Sequence, residues 1–104
     1  MIEYAVKRDP DRRPAHPGEL LRESIEAAGR GKTEIAEALG ISRQHLYDIL
    51  AGRKPVSPAV AVRIGKLLGN GGSLWLMMQA AHDLWRAERE VDTSGIRTIE
   101  KLSA

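Results

Sequence analysis

The sequence predicts an all-α fold of five helices, to which a short strand at either terminus could be added. Five segments carry apolar residues three or four positions apart, which is the spacing that lines one face of a helix. Ser, Pro or Gly stands at the ends of these segments, where such residues start or stop helices. A chain of 104 residues, 42% of them hydrophobic, is long enough for one core. We therefore expect one compact helical domain.

The first predicted helix begins at Pro17 and ends near Gly29. A proline loses no hydrogen bond in the first turn, and the acidic Glu19 faces the positive end of the helix dipole. Its expected buried stripe consists of Leu21, Ile25 and Ala28. Residues 1–15 form a predicted N-terminal extension, in which residues 2–7 alternate in the manner of a short strand.

Two short helices follow, and their ends are sharply marked. The second helix runs from Lys32 to Gly40, which can take the left-handed conformation that ends a helix, and Glu34 occupies a capping-box position. Ser42 is a favourable N-cap for the third helix, which Gly52 ends. The apolar positions of this third helix are Leu46, Ile49 and Leu50.

The connection between these two helices predicts a helix-turn-helix unit. A close crossing of these two helices needs a small residue within the second helix, a turn residue that tolerates positive φ, and an apolar residue in the turn that packs between them. Ala36, Gly40 and Ile41 meet these three needs. The apolar residues of both helices can then share a core, which places five side chains on the outer face of the third helix: Arg43, Gln44, His45, Tyr47 and Asp48.

The outer face has the chemistry of a major-groove reader. Arg43 matches guanine O6 and N7, and Gln44 matches adenine N6 and N7, so these two are the predicted base readers. Basic and hydroxyl residues at the helix ends suit phosphate oxygens. The full set of predicted DNA-contacting residues is Lys32, Thr33, Ser42, Arg43, Gln44, His45, Tyr47, Arg53 and Lys54.

Charge alone does not separate DNA binding from a merely solvated face, since the formal net charge is only +2. Asp48 would repel phosphate unless it accepts a hydrogen bond from cytosine N4 or orients Arg43.

Two further helices complete the predicted domain. Ser57 and Pro58 start the fourth helix, and the glycine-rich residues 69–72 stop it. Ser73 is the expected N-cap of a fifth helix that runs to about Glu90. The buried stripe of the fourth helix is expected to consist of Val60, Ile64, Leu67 and Leu68.

The fifth helix opens with residues that are apolar around more than one face, so it needs two partners. One reading is a homodimer interface formed by Leu74, Trp75, Met78 and Trp85; the alternative is that these residues only complete the core of one chain. We expect a domain over residues 16–90 with a dimerising fifth helix, and a tail over residues 91–104. Residues 96–102 could form a short strand.

Nothing in the sequence supports enzymatic or metal chemistry. Without cysteine there is no thiol nucleophile, disulfide or cysteine-based zinc site. His16, His45 and His82 are too far apart for a helical metal pair; we expect His16 to cap the first helix and His82 to lie on a helix surface. The segment Gly31-Lys32-Thr33 lacks the first glycine of a phosphate-binding loop. We expect no cofactor, no metal and no membrane segment, and a cytoplasmic protein that is not an enzyme.

Taken together, these segments resemble the HigA antitoxins, within the Xre or lambda-repressor-like helix-turn-helix family. The His16-Pro17-Gly18-Glu19 opening and the Trp75-Leu76 pair after the fourth helix point to HigA. Many repressors share the segment around the turn. The other matching segments are residues 35–42, 49–54, 57–58, 61–64 and 92–96, together with Gln79, so the resemblance covers most of the chain.

The resemblance implies a homodimer that binds a palindromic operator in its own promoter and holds a RelE-type mRNA-cleaving toxin inactive. It implies DNA contacts at Lys32, Thr33, Arg43, Gln44, His45 and Tyr47, and dimerisation through the fifth helix and tail. Gly31 departs from the Ser or Thr that commonly caps the second helix, and the glycine pair at residues 71–72 departs from the acid or proline often found there. Both changes would loosen a helix start.

Two alternatives stay open at this point. The protein could be a stand-alone repressor with no toxin partner, which the absence of a small basic reading frame beside its gene would favour. It could also be a protein-binding module in which the helix-turn-helix unit is only a scaffold.

Overall fold

The computed structural model describes residues 11–102, which form six helices and no strand. The helices are α1 (Pro17–Ala28), α2 (Lys32–Leu39), α3 (Arg43–Leu50), α4 (Pro58–Leu68), α5 (Gly72–Glu90) and α6 (Ile99–Leu102). The first five are the helices that the sequence predicts, which confirms the all-α fold class. None of the described helices combines the length and the apolar run that a membrane span requires.

The two predicted terminal strands have different outcomes. Residues 2–7 lie outside the described residues. The strand predicted for residues 96–102 is wrong, because this segment forms its own local hydrogen bonds: the N–H of Ile96 donates to Thr93 at 2.9 Å, and that of Lys101 donates to Thr98 at 3.0 Å. These bonds favour turns and the short helix α6 over a strand, which would need a neighbouring strand as its partner.

Side-chain caps start three of the helices. His16, Ser42 and Ser57 each accept a hydrogen bond from a backbone N–H in the first turn that follows, at 2.9, 3.0 and 3.2 Å. The predicted caps at these three positions are therefore confirmed. Helix α2 follows Gly31 with no side-chain cap, as the departure from the family pattern implies.

Helix α5 begins earlier than the sequence indicates, and Ser73 is not its cap. The N-cap is Gly71, at a φ of 78°, and the helix starts at Gly72. The reason lies in the packing of α4: a Cβ on Gly65 would overlap the backbone of both Gly71 and Gly72. The chain thus turns where the backbones touch: the contact requires glycine at Gly65, and the positive φ of the turn favours glycine at Gly71.

Thirteen hydrophobic side chains of the described residues are buried and pack into one core. They are Leu21, Ile25, Ile35, Ala36, Leu39, Leu46, Ile49, Leu50, Val56, Val60, Ala61, Ile64 and Trp75. Three residues of the predicted stripes lie outside this core: Ala28 is exposed, Leu67 is 37% exposed, and Leu68 is half-buried against the core. All three stand in the last turn of their helices.

Trp75 belongs to the core and not to an interface. Its side chain is fully buried, and its Nε1 donates to the Asn70 side chain at 2.8 Å. A side chain that one copy buries completely has no surface left for a second copy. The expectation that Trp75 lines a dimer interface is therefore wrong, and the alternative, a core residue, applies to it.

His82 is buried too, which contradicts the prediction of a surface position. Its Nδ1 lies 2.9 Å from the carbonyl oxygen of Pro14, and since that oxygen can only accept, Nδ1 carries the proton. The His82 ring stands edge-on to that of His16, with 5.2 Å between centroids. The two rings join the segment before α1 to the middle of α5.

Candidate nucleic-acid interface

The turn between α2 and α3 has the predicted geometry. Gly40 ends α2 with a φ of 73°, and the N–H of Ile41 donates to the Ala36 carbonyl at 3.1 Å. Ala36 is 1% exposed at the crossing. The positive φ favours glycine here, and a Cβ would in addition displace the guanidinium of Arg63.

Two arginines from neighbouring helices hold the carbonyl ends of this unit. Arg63 of α4 donates to the Leu39 carbonyl at 2.9 Å, and Arg22 of α1 donates to the Leu50 carbonyl at 2.8 Å. A guanidinium at a helix C-terminus satisfies an unpaired carbonyl and complements the negative end of the dipole. Sequence reasoning missed both residues, because their partners lie 24 and 28 positions away in the chain.

Gly18 brings α1 against α3. A Cβ at this position would overlap the carbonyl oxygen of Ile49, so the two helices touch through backbone. The His-Pro-Gly-Glu opening thus has a structural role: His16 caps α1, and Gly18 allows α3 to lie against it. The outer face of α3 is fixed relative to the core as a result.

The outer side chains of α3 point away from the core. Arg43 and Gln44 are exposed, Tyr47 is 41% exposed and His45 is half-buried, whereas the apolar residues Leu46, Ile49 and Leu50 are buried. Ser42 is exposed as well, although its hydroxyl accepts the His45 N–H as the helix cap. The arrangement is a ridge of donors and acceptors on a helix short enough to enter a major groove.

Asp48 does not belong to this exposed ridge. It is only 8% exposed, and its Oδ1 accepts hydrogen bonds from Gln44 Nε2 at 3.0 Å and from Arg53 Nε at 2.9 Å. Lys54 Nζ lies 3.6 Å from the other carboxylate oxygen. The hydrogen bond from Arg53 is the main reason why the pKa of Asp48 lies below its ordinary value. Among the described residues its partners are these three, so the suggestion that it orients Arg43 is wrong.

The start of α2 lies beside the same ridge. Lys32 Nζ is 5.8 Å from the centroid of the Tyr47 ring, within reach of a cation–π contact. Both Lys32 and Thr33 are exposed, and they line an open groove of about 540 Å³ together with residues of α1. Since Gly31 offers no side-chain cap, the first amides of α2 remain open to an outside acceptor.

The candidate dimer residues on α5 fall into two groups. Leu74 is 40% exposed, whereas Met78 and Trp85 are half-buried, and the guanidinium of Arg89 lies 3.8 Å from the Trp85 ring centroid.

More apolar surface lies on a stripe that the sequence reasoning missed. It consists of Met77, Leu84 and Val91, which are 69%, 60% and 58% exposed and stand seven positions apart, with the exposed Ala80 and Ala87 between them. A seven-residue spacing is the signal that could have revealed it.

Comparison with known proteins places this chain in a family. Residues 18–74 match the model of the helix-turn-helix domain. Antitoxin HigA-1 of Vibrio cholerae is 37% identical over 79 residues, which cover 75% of this chain and 74% of the relative. The solved structure of antitoxin GraA is 34% identical, with a TM-score of 0.76, over 84% of this chain and 97% of the other.

A third relative was solved with DNA. It is the Pseudomonas aeruginosa antitoxin HigA with the higBA promoter, 27% identical, with a TM-score of 0.69, over 79% of this chain and 99% of that one. The match to the domain family, the likeness to solved antitoxins and the geometry of α2 and α3 agree. This chain belongs to the HigA-type antitoxin family of helix-turn-helix DNA-binding regulators.

Proposed function

We propose that this protein is a dimeric antitoxin that binds an inverted repeat in its own promoter, represses its operon and neutralises a RelE-type mRNA-cleaving toxin. The observation that carries the DNA-binding part is the exposed ridge of α3, on which Arg43 and Gln44 project beside a buried apolar row. Hydrogen bonds and close backbone contacts hold the unit in place, so the helix that carries these side chains has a fixed orientation.

We assign base contacts and phosphate contacts to these residues by their positions on and beside α3. Arg43 and Gln44, near the start of α3, read base edges; His45 and Tyr47 support them along the same ridge. The phosphate contacts come from Lys32 and the other residues that flank the two helices: Thr33, Ser42, Arg53 and Lys54. Such contacts set the register of the protein on the duplex, whereas base contacts set its sequence preference.

An Arg43→Ala substitution tests the reading role. The operator is first selected from a pool of random duplexes with the unaltered protein, and each base pair is then varied. Arg43→Ala should relax the preference at one base pair of each half-site by about tenfold. Lys32→Ala is the matched control: it should weaken binding to all sequences alike and reduce the slope of log K against log salt by about 1.

If Arg43→Ala instead weakened binding to all sequences alike and reduced the salt slope, Arg43 would be a phosphate contact. If the unaltered protein showed no preference for any duplex over random DNA, the DNA-binding proposal would fail and a protein-binding module would be favoured.

The dimer is proposed because one short helix reads too little DNA for useful specificity. Two copies that present their α3 helices about 34 Å apart can read an inverted repeat. The stripe of Met77, Leu84 and Val91 offers the apolar surface that a second copy would bury, with Leu74 at its edge. Met78 and Trp85, half-buried in one chain, can contribute their remaining surface.

The toxin-neutralising part rests on the antitoxin relatives. The test is co-expression with the small basic reading frame expected beside the gene. Expression of that reading frame alone should stop the growth of the host cells, and co-expression of this protein should restore their growth. A neighbouring product that is harmless, or a toxin that this protein does not bind, would leave the stand-alone repressor as the better description.

A further inference from the structure

We propose that Asp48 is a positioning residue for base readout: its carboxylate fixes the direction in which the Gln44 amide faces the DNA and thereby favours adenine over guanine. The inference rests on the proposed reading role of Gln44.

The two residues stand one helical turn apart on α3, and they differ in exposure. Gln44 is exposed, whereas Asp48 is 8% exposed. Gln44 Nε2 donates to Asp48 Oδ1 at 3.0 Å. An ionised carboxylate only accepts hydrogen bonds, so it orders the Gln44 amide: the nitrogen faces Asp48, and the reverse orientation would set two oxygens against each other.

Asp48 is itself held in place, which is what allows it to position another residue. Arg53 approaches its Oδ1 through Nε at 2.9 Å and through Nη2 at 2.9 Å. Lys54 Nζ approaches the second oxygen at 3.6 Å. The backbone N–H groups of Arg53 and Lys54 also donate to the Asp48 carbonyl, at 2.8 and 3.2 Å. The carboxylate is thus fixed from the loop after α3, independently of Gln44.

The fixed amide distinguishes the two purines. One N–H of Gln44 is used on Asp48, which leaves one N–H and the carbonyl oxygen for DNA. Adenine presents one acceptor, N7, and one donor, the N6 amino group, so this remaining pair suits it. Guanine presents two acceptors, N7 and O6, and an amide would need both of its N–H groups to satisfy them. The Asp48 contact removes one of the two.

The same carboxylate has a second effect at the DNA surface. It offsets part of the positive charge of Arg53 and Lys54, which flank the reading helix. Loss of this negative charge should therefore strengthen binding to random duplex while weakening the base preference. Loss of a residue that only stabilises the fold would weaken binding to every duplex equally and leave the base preference unchanged.

The test compares Asp48→Asn with the unaltered protein on duplexes selected from a random pool. Asparagine has the same size but can also donate a hydrogen bond, so it accepts either orientation of the Gln44 amide. The base pair that Gln44 reads is located with Gln44→Ala, which should abolish the preference there. At that base pair Asp48→Asn should lower the preference for adenine over guanine by about tenfold. The preference at the Arg43 base pair should not change, and affinity for random duplex should rise.

The readout is a ratio of affinities measured on one preparation, so a reduced fraction of folded protein cancels. In the Gln44→Ala background, Asp48→Asn should add nothing at that base pair. An unchanged adenine-to-guanine ratio in Asp48→Asn, with binding lowered equally on all duplexes, would make Asp48 merely structural. If Gln44→Ala itself leaves every preference intact, the reading role of Gln44 fails, and this inference fails with it.

Discussion

The first and last parts of the described chain differ in whether their apolar residues are buried. Among residues 11–102, the buried hydrophobic residues all lie between positions 21 and 75. Beyond His82 the large hydrophobic side chains are mainly exposed: Leu84, Val91, Ile96, Ile99 and Leu102 are between 58% and 85% exposed. The comparison shows that the core is built by α1 to α4 and the start of α5, whereas the later segment carries apolar surface that no described residue buries.

Helix α5 belongs to both regions. Its first turns insert Trp75 into the core, and its buried polar residue Gln79 accepts a hydrogen bond from the Val56 N–H at 2.8 Å. Its later turns carry Leu84 on the surface, and the exposed Val91 directly follows its last residue. The helix therefore joins the reading unit to the proposed dimer contact, and substitutions at its two ends should act on different equilibria.

The largest expected effect separates these two ends. Trp75→Ala should lower the free energy of unfolding by about 3–5 kcal/mol, since it empties a fully buried site and leaves the Asn70 side chain without its donor. Leu84→Ala should change the unfolding of the monomer by less than about 0.5 kcal/mol. Chemical denaturation at low protein concentration measures both. A similar decrease in the free energy of unfolding for the two variants would contradict the division of α5 into a core end and a surface end.

A smaller loss of stability is expected at the contact between α1 and α3. Gly18→Ala should cost about 1–3 kcal/mol, because the added methyl overlaps the Ile49 carbonyl and must push the helices apart. Gly95→Ala is the control, since a Cβ there meets no atom within 4 Å and the residue does not have a positive φ. Thermal unfolding reports the difference, and DNA binding should weaken with Gly18→Ala alone. Equal melting temperatures would show that α1 can move without cost.

The exposed region can be tested through self-association. Leu84→Glu should weaken the dimer at least about tenfold, or ~1.4 kcal/mol, because it puts a charge into the centre of the apolar stripe. Val62→Glu provides the comparison: Val62 is 66% exposed on α4, outside the stripe. Sedimentation equilibrium measures both dissociation constants. A dimer weakened by Val62→Glu but not by Leu84→Glu would place the interface on the other helix.

The smallest effect concerns the histidine pair that joins the two regions. Burial, and next the positive charge of a protonated His82, lower the pKa of His16 from its ordinary 6.5. As the pH falls below about 6.5, the unfolded chain binds a proton that the folded chain resists, so stability decreases. His16→Asn keeps a capping acceptor but does not titrate. It should lose less stability than the unaltered protein between about pH 7.5 and pH 5.5.

Ser57→Asn changes another helix cap, one that does not titrate, and should leave that pH dependence as it is. If His16→Asn loses as much stability on acidification as the unaltered protein, the acid sensitivity must come from other groups.

Local signals in the sequence determined the helical elements. The apolar spacing and the residues that start and stop helices gave α1 to α5, and Ala36, Gly40 and Ile41 gave the tight turn. These features act over a few positions, so they can be read along the chain. The same local reasoning predicted which side chains of α3 lie outward, with the exception of Asp48.

Only the tertiary structure decided the contacts between distant positions. The sequence did not reveal that Arg22 and Arg63 hold the ends of α3 and α2, that Trp75 and His82 are buried, or that Arg53 and Lys54 hold Asp48. The periodicity of one helix defines an apolar face, but which neighbour covers that face, and which polar groups meet beneath it, depends on how the helices pack in space.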